Sequence, residues 1–100
     1  MSTTIFEKNN DTLTVTPSGR LDTATSPVLE KEISTHLDDI TNIIIDFKNI
    51  EYISSSGMRV ILALEQGMEE NNGSLHLINV NDDIIEIFEL VGFMDLINVN

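Results

Sequence analysis

Three consecutive isoleucines, Ile43, Ile44 and Ile45, restrict the fold of this chain more than any other feature. β-Branched side chains favour extended backbone, and the apolar run at residues 42–47 is too short for a helix. A strand that is apolar on both faces is typical of a parallel sheet covered by other elements. The run therefore predicts a strand at the centre of the sheet.

The segment before this run predicts a hairpin and a helix. Residues 12–17 alternate apolar and polar side chains, and residues 4–8 lie just beyond an Asn-Asn-Asp turn, so the two segments predict an antiparallel pair. Ser26 followed by Pro27 is typical of a helix start. Apolar residues at helical spacing then predict a first helix over residues 26–38.

The segment after the isoleucines predicts a second helix and another strand. The serine cluster, which we define as Ser54, Ser55 and Ser56, is expected to contain the start of this helix, and Gly73 is expected to stop it. Residues 74–80 again predict a parallel strand.

The last part of the chain predicts a third helix and a short strand. Asp82 or Asp83 can cap the helix, Gly92 is expected to end it, and residues 96–99 are expected to form a short strand or a docked tail. The chain of 100 residues is thus expected to form one domain, residues 1–100. We predict the α/β class, with an N-terminal hairpin, then parallel strands in a mixed sheet of four to five, and about three helices.

The charge balance excludes several classes of partner. Five lysines and arginines against 17 aspartates and glutamates give a formal net charge of −12. Nucleic acids and anionic membrane surfaces would repel such a chain, so neither is expected as a partner. The chain has no cysteine, its N-terminus does not resemble a signal peptide, and no apolar run is long enough to span a bilayer. A cytoplasmic location is expected.

The serine cluster allows two interpretations. One serine oxygen can cap the helix by accepting from a backbone N–H, which stabilises by about 1 kcal/mol. One hydroxyl suffices for that role, so a second could instead carry a phosphate, which the free N–H groups and the positive end of the helix dipole favour. The residues alone leave both interpretations open.

Asp22, at the end of Gly19-Arg20-Leu21-Asp22, also has two interpretations. It can simply complete a turn, with Gly19 at positive φ and the carboxylate accepting from nearby N–H groups. It can also lie at the same sheet edge as the serine cluster and help to present that cluster.

Catalysis and metal binding are not expected. The Gly-x-Ser-x-Gly nucleophile pattern is absent, and His36 and His76 are placed by the pattern in a helix and a strand rather than in site loops. The scattered carboxylates show no zinc or calcium spacing. We therefore predict no catalytic residue, no metal ligand and no cofactor.

Several motifs together resemble those of the STAS domain family, whose best-known small members are bacterial anti-sigma factor antagonists. Residues 19–22 resemble the family's Gly-x-Leu-Asp, and residues 43–47 read Ile-Ile-Ile-Asp-Phe. Residues 52–58, Tyr-Ile-Ser-Ser-Ser-Gly-Met, resemble the family's aromatic-apolar-Asp-Ser-Ser-Gly-Leu. The resemblance spans nearly all of the chain.

The resemblance implies a protein switch that regulates transcription. In such family members a serine kinase, which is also the anti-sigma factor, uses ATP to phosphorylate the first serine of Ser-Ser-Gly, which is Ser55 here. The unphosphorylated protein binds that kinase and releases the sigma factor, and a phosphatase resets the switch. The implied partner surface comprises Asp22, Ser54, Ser56, Gly57, Met58 and Arg59.

Three positions depart from the family pattern. Ser54 replaces the aspartate, Met58 replaces the leucine, and Arg59 replaces a small residue. Ser54 or Ser56 therefore remains an alternative site of phosphorylation. The alternative function is a sensory or scaffold module that is not phosphorylated and binds a small anion, a nucleotide or partner proteins.

Overall fold

The computed structural model describes residues 3–100, which form two sheets and three helices. The main sheet contains, in spatial order, β1 (Ile5–Asn9), β2 (Thr12–Thr16), β4 (Asn42–Asp46), β6 (Ser74–Ile78) and β7 (Asn98–Val99), and the small sheet pairs β3 (Ser18–Leu21) with β5 (Asn49–Ile53). The helices are α1 (Ser26–Ser34), α2 (Ser55–Glu70) and α3 (Asp82–Val91), the last followed by a short 3₁₀ turn, Phe93–Asp95. No helix within residues 3–100 has the length and apolar character needed to cross a membrane.

The topology of the main sheet confirms the predicted α/β class. β1 and β2 form the antiparallel hairpin, while β2, β4, β6 and β7 run parallel to one another. β4, with the three isoleucines, is the middle strand of five, as predicted. The segment after Leu96 forms the last strand, because β7 pairs with β6.

All three helices pack on one face of the main sheet. The chain moves steadily across the sheet from β2 to β4, β6 and β7, so right-handed crossovers place every connecting helix on the same side. On that face Ile43 and Ile45 are completely buried. Ile44 points to the other face, where it is only half-buried beside His76 of β6. The expectation that β4 is covered on both faces is therefore wrong, because no second layer of helices exists within residues 3–100.

The small sheet was not predicted from the sequence. Residues 19–21 of the expected turn lie in the strand β3, whose pairing register with β5 shifts between Gly19 and Arg20, and the turn begins only at Asp22. Gly19 does adopt positive φ, at +86°, as expected, but it does so within a strand irregularity rather than a turn. Neither short strand shows a regular two-residue alternation, and so the pattern gave no strand signal.

The first two helices end earlier than predicted. α1 ends at Ser34 rather than residue 38, because the hydroxyls of Ser34 and Thr35 donate to the carbonyls of Lys31 and Glu32 and compete with further helical turns. His36 consequently lies outside the helix.

α2 ends at Glu70, and the left-handed residue that follows is Asn72, with φ of +61°, not Gly73. Gly73 is required for another reason: a Cβ there would collide with the carbonyl oxygen of Thr41.

α3 is capped by a residue that the pattern did not select. Asn81 is extended, and its side-chain oxygen accepts from the N–H of Ile84 at 2.9 Å. Asp82 and Asp83 are the first two helical residues instead, where their charge favours the helix dipole. Gly92 ends the helix, as predicted, and the structure shows it in a left-handed conformation with φ of +77°.

Replacing the α3 cap should cost more than replacing the aspartate beside it. Asn81→Ala removes the hydrogen bond that Ile84 N–H donates to the cap, together with the longer one that the Asn81 amide donates to the Ile50 carbonyl at 3.4 Å, and should lower the free energy of unfolding by about 1 kcal/mol. Asp82→Ala removes only the favourable interaction of a negative charge with the helix dipole, and should lower the free energy of unfolding by about 0.3–0.5 kcal/mol. Urea denaturation of both variants measures the difference, and equal losses would contradict the assignment of Asn81 as the cap.

Candidate functional site

The serine cluster lies where β5 passes into α2, and its three hydroxyls have different environments. Ser54 is the N-cap: its backbone is extended, and its hydroxyl oxygen accepts from the N–H of Gly57 at 3.4 Å. Ser55 is the first helical residue and its side chain is exposed. Ser56 is half-buried, with its hydroxyl 3.3 Å from that of Thr23. Since Ser54 alone caps the helix, the Ser55 hydroxyl is left free of that role.

The loop after β3 is organised by Asp22. One carboxylate oxygen, Oδ1, accepts from the backbone N–H groups of Ala24 and Thr25, each at 3.0 Å, and from the Thr25 hydroxyl at 3.2 Å. The N–H of Thr25 contributes most to lowering the pKa of the Asp22 carboxyl below its ordinary value, and the N–H of Ala24 and the guanidinium of Arg20 act in the same direction. The hydrogen bonds of the Asp22 carboxylate are thus those that the turn interpretation predicts.

The Asp22 loop and the serine cluster are held side by side. β3 and β5 run parallel, so the residues that follow both strands emerge at the same edge. The N–H of Ser54 donates to the carbonyl of Leu21 at 2.8 Å, and the contact between Thr23 and Ser56 joins the loops a second time. Backbone hydrogen bonding therefore fixes the position of Asp22 relative to Ser55.

Two residues of the implied partner surface point inward. Gly57 is buried, and a Cβ there would come within 2.7 Å of the Ile53 side chain and 2.9 Å of the Leu21 carbonyl oxygen. Met58 is half-buried and packs against the hydrophobic core. The accessible residues in this region form what we call the α2 surface, defined as Asp22, Thr23, Ser55, Ser56 and Arg59.

Thr23 is the member of the α2 surface that the sequence analysis missed. It is exposed and touches Ser56, and yet no motif marked it. The only signal was its position directly after Asp22 in a segment rich in hydroxyl side chains.

An arginine–tyrosine pair lies on the small sheet next to this surface. The guanidinium carbon of Arg20 lies 4.3 Å from the centre of the Tyr52 ring, a distance suited to a cation–π contact. Arg20 Nε is also 3.9 Å from Asp22 Oδ2. The positive charge of Arg20 is therefore already engaged by two neighbours.

The described residues offer no catalytic or metal-binding arrangement around these serines. His36 stacks on Phe6, with ring centres 4.1 Å apart, and His76 lies within β6, so neither belongs to the loops of the α2 surface. Across residues 3–100 no group of three potential metal ligands comes together. An open depression beside Asp22 is lined by two carboxylates, those of Asp22 and Glu51, and by one guanidinium, that of Arg20, so its net negative charge disfavours an anionic ligand.

The two glycines of α2 should respond oppositely to alanine. Gly57→Ala forces a methyl group against Ile53 and Leu21 and should destabilise the protein by about 1–3 kcal/mol. At Gly67 a Cβ meets nothing within 4 Å, so Gly67→Ala should stabilise by up to about 1 kcal/mol. Thermal denaturation of the two variants provides a matched comparison within one helix. A Gly57→Ala protein as stable as the wild type would show that the close approach is not required.

Comparison with known proteins identifies the family. The model of the STAS domain matches residues 4–100, and the chain therefore belongs to the STAS domain family. One relative, the anti-sigma-B factor antagonist of Staphylococcus aureus, is 31% identical over 83 residues, which cover 82% of this chain and 77% of the relative.

Solved structures show the same fold. The anti-sigma factor antagonist SpoIIAA in its unphosphorylated form superposes with a TM-score of 0.82 at 22% identity, over 98% of this chain and 88% of that chain. The phosphorylated form of SpoIIAA from Bacillus gives a TM-score of 0.74 at 22% identity, over 98% of this chain and 91% of that chain.

Proposed function

We propose that this protein is an anti-sigma factor antagonist, and that phosphorylation of Ser55 switches it off. The unphosphorylated form binds an anti-sigma factor that is also a serine kinase, and so releases a sigma factor. The kinase transfers the γ-phosphoryl group of ATP to the Ser55 oxygen, ADP leaves, and the hydroxyl proton is released. A phosphatase restores the hydroxyl. The chain itself performs no chemistry.

The observation that carries the assignment is that Ser55 is exposed and free of the capping role. The Ser54 hydroxyl oxygen accepts a hydrogen bond from the N–H of Gly57, whereas Ser55, the first residue of α2, is exposed to solvent. A kinase needs an accessible hydroxyl, and a helix start tolerates the phosphate that results. The name of the Staphylococcus aureus relative and the phosphorylated SpoIIAA structure support the same reading.

The replacement of the family aspartate by Ser54 is compatible with this function. Aspartate and serine are both good N-caps, because each offers an oxygen that accepts from the first free N–H groups of a helix. Ser54 makes that hydrogen bond here. The substitution therefore keeps the cap and removes one negative charge next to Ser55.

A phosphate on Ser55 would act mainly on the partner. It adds about 1.5 to 2 negative charges to an exposed surface, and the partner would have to accept that charge inside a contact formed with a neutral hydroxyl. Repulsion and the cost of removing water from the phosphate both oppose binding. The fold should be left intact because Ser55 is exposed.

Substitutions within the serine cluster test the site. Ser55→Ala should abolish phosphorylation by the kinase and keep binding, while Ser56→Ala and Ser54→Ala should still accept phosphate, as mapped by mass spectrometry. Ser55→Asp should weaken binding to the kinase by more than about tenfold, or about 1.4 kcal/mol, because it adds part of the phosphate's charge.

Ser55→Asn is the matched control, because it has the same size as aspartate without the charge and should bind nearly normally in a calorimetric titration. Phosphate found only on Ser54 or Ser56 contradicts the assignment. Tight binding of a partner with no modification at any of the three serines favours the scaffold function instead.

Asp22 provides an independent test of the partner surface. Asp22→Ala should lower binding and phosphorylation clearly, while unfolding stays cooperative, because only one loop depends on the carboxylate. Asp22→Asn keeps an oxygen that can accept from Ala24 and Thr25 but lacks the charge. If the charge contacts the partner, this variant should fold with near-normal stability and bind poorly. Reduced stability with normal binding would leave Asp22 as a loop-forming residue only.

A further inference from the structure

Arg59 is a cation without a carboxylate partner near the amino end of α2. Among residues 3–100 the ion pairs are Arg20 with Asp22 and Lys48 with Asp46, and Arg59 belongs to neither. Its side chain is exposed. A positive charge near the start of a helix opposes the helix dipole. Carboxylates are abundant in a chain with a net charge of −12, and yet none of those described forms an ion pair with Arg59. Within residues 3–100, Arg59 therefore has no specific ion-pair partner in the unmodified protein.

Helix geometry directs Arg59 toward Ser55. α2 begins at Ser55, so the two residues are separated by one helical turn and lie on the same face. Side chains on a helix lean toward its amino end, and the long arginine side chain thus extends over the turn that contains Ser55. Both residues are exposed.

The other charged groups of this region are already committed or absent. Arg20 contacts Tyr52 and Asp22, and the Asp22 carboxylate accepts from its own loop. Ser54 carries no charge. Within the α2 surface, Arg59 is the basic residue and Asp22 the acidic one, so a phosphate on Ser55 would have the Arg59 guanidinium as its attractive charge and the hydrogen-bonded Asp22 carboxylate as the opposing charge.

We propose that Arg59 holds the phosphate of phosphorylated Ser55 and thereby prolongs the phosphorylated state. The guanidinium donates charge-assisted hydrogen bonds to the phosphate oxygens, and these bonds form only after modification. Resetting requires water to attack phosphorus, the bond from phosphorus to the Ser55 oxygen to break, and the serine oxygen to regain a proton as inorganic phosphate leaves. Phosphate held by Arg59 is less available to that reaction. This inference rests on the proposed function for the presence of the phosphate.

The test places phosphoserine directly at position 55 during translation, so that it does not depend on any kinase. Titration of the purified full chain followed by ³¹P NMR reports the pH at which the phosphate gains its last proton. A guanidinium contact favours the dianion, so the wild type should titrate about half a pH unit lower than Arg59→Gln. Arg59→Lys should fall between them, because it keeps the charge and loses the planar fork.

A matched control separates pairing from net charge. Lys8→Gln also removes one positive charge, but Lys8 lies on β1 beside the amino end of β2, away from the edge that carries Ser55. This variant should titrate like the wild type. Release of phosphate by a general phosphatase should be about two- to fivefold faster for Arg59→Gln than for the wild type or Lys8→Gln.

The outcomes are distinct. Identical titration of wild type and Arg59→Gln, or an equal shift in Lys8→Gln, overturns the proposal. A kinase that leaves Ser55 unmodified, together with the expected ³¹P shift, overturns the proposed function and leaves the pairing of Arg59 with phosphate established.

Discussion

The close approach of the first turn of α2 to the small sheet is the contact on which the α2 surface depends. Gly57 has no side chain, and this allows the helix to lie against Ile53 and the carbonyl of Leu21. The same carbonyl accepts a hydrogen bond from the N–H of Ser54, the residue that caps α2. Asp22 follows Leu21 directly, and Ser55 follows Ser54 directly. The Asp22 loop and the serine cluster are therefore held together by a backbone hydrogen bond and close packing, and the contact between Thr23 and Ser56 adds to them.

The local electrostatics separate the effect of a phosphate on the chain from its effect on a partner. At the start of α2 the unpaired N–H groups and the helix dipole favour a negative group, so the protein itself bears little cost. A partner that docks against the α2 surface meets the same charge across an interface, where it must be desolvated. Ser54 in place of aspartate and Arg59 in place of a small residue both make the position more favourable for a phosphate. This chain thus departs from the family pattern in one consistent electrostatic direction.

The parts of the fold that the sequence predicted are those with a clear apolar pattern. β2 and β6 carry apolar side chains at alternate positions and β4 carries an unbroken run of isoleucines, and the structure confirms each strand. β3 and β5 were missed because neither alternates regularly between apolar and polar residues, and because Gly19 and the register shift interrupt β3. Their pairing is a long-range contact between residues about thirty positions apart, and local patterns carry no information about it. The placement of Asp22 beside the serine cluster follows from that pairing.

The sequence by itself determined that the chain folds around a central strand at residues 43–45 in an α/β arrangement, and that a helix begins within the serine cluster. It did not determine which hydroxyl caps that helix. Three adjacent serines have the same capping chemistry, and local preferences do not distinguish them. The tertiary structure decided the question, because packing of Gly57 against Leu21 and Ile53 sets where α2 begins. That register makes Ser54 the cap, turns Ser56 toward Thr23, and leaves Ser55 exposed.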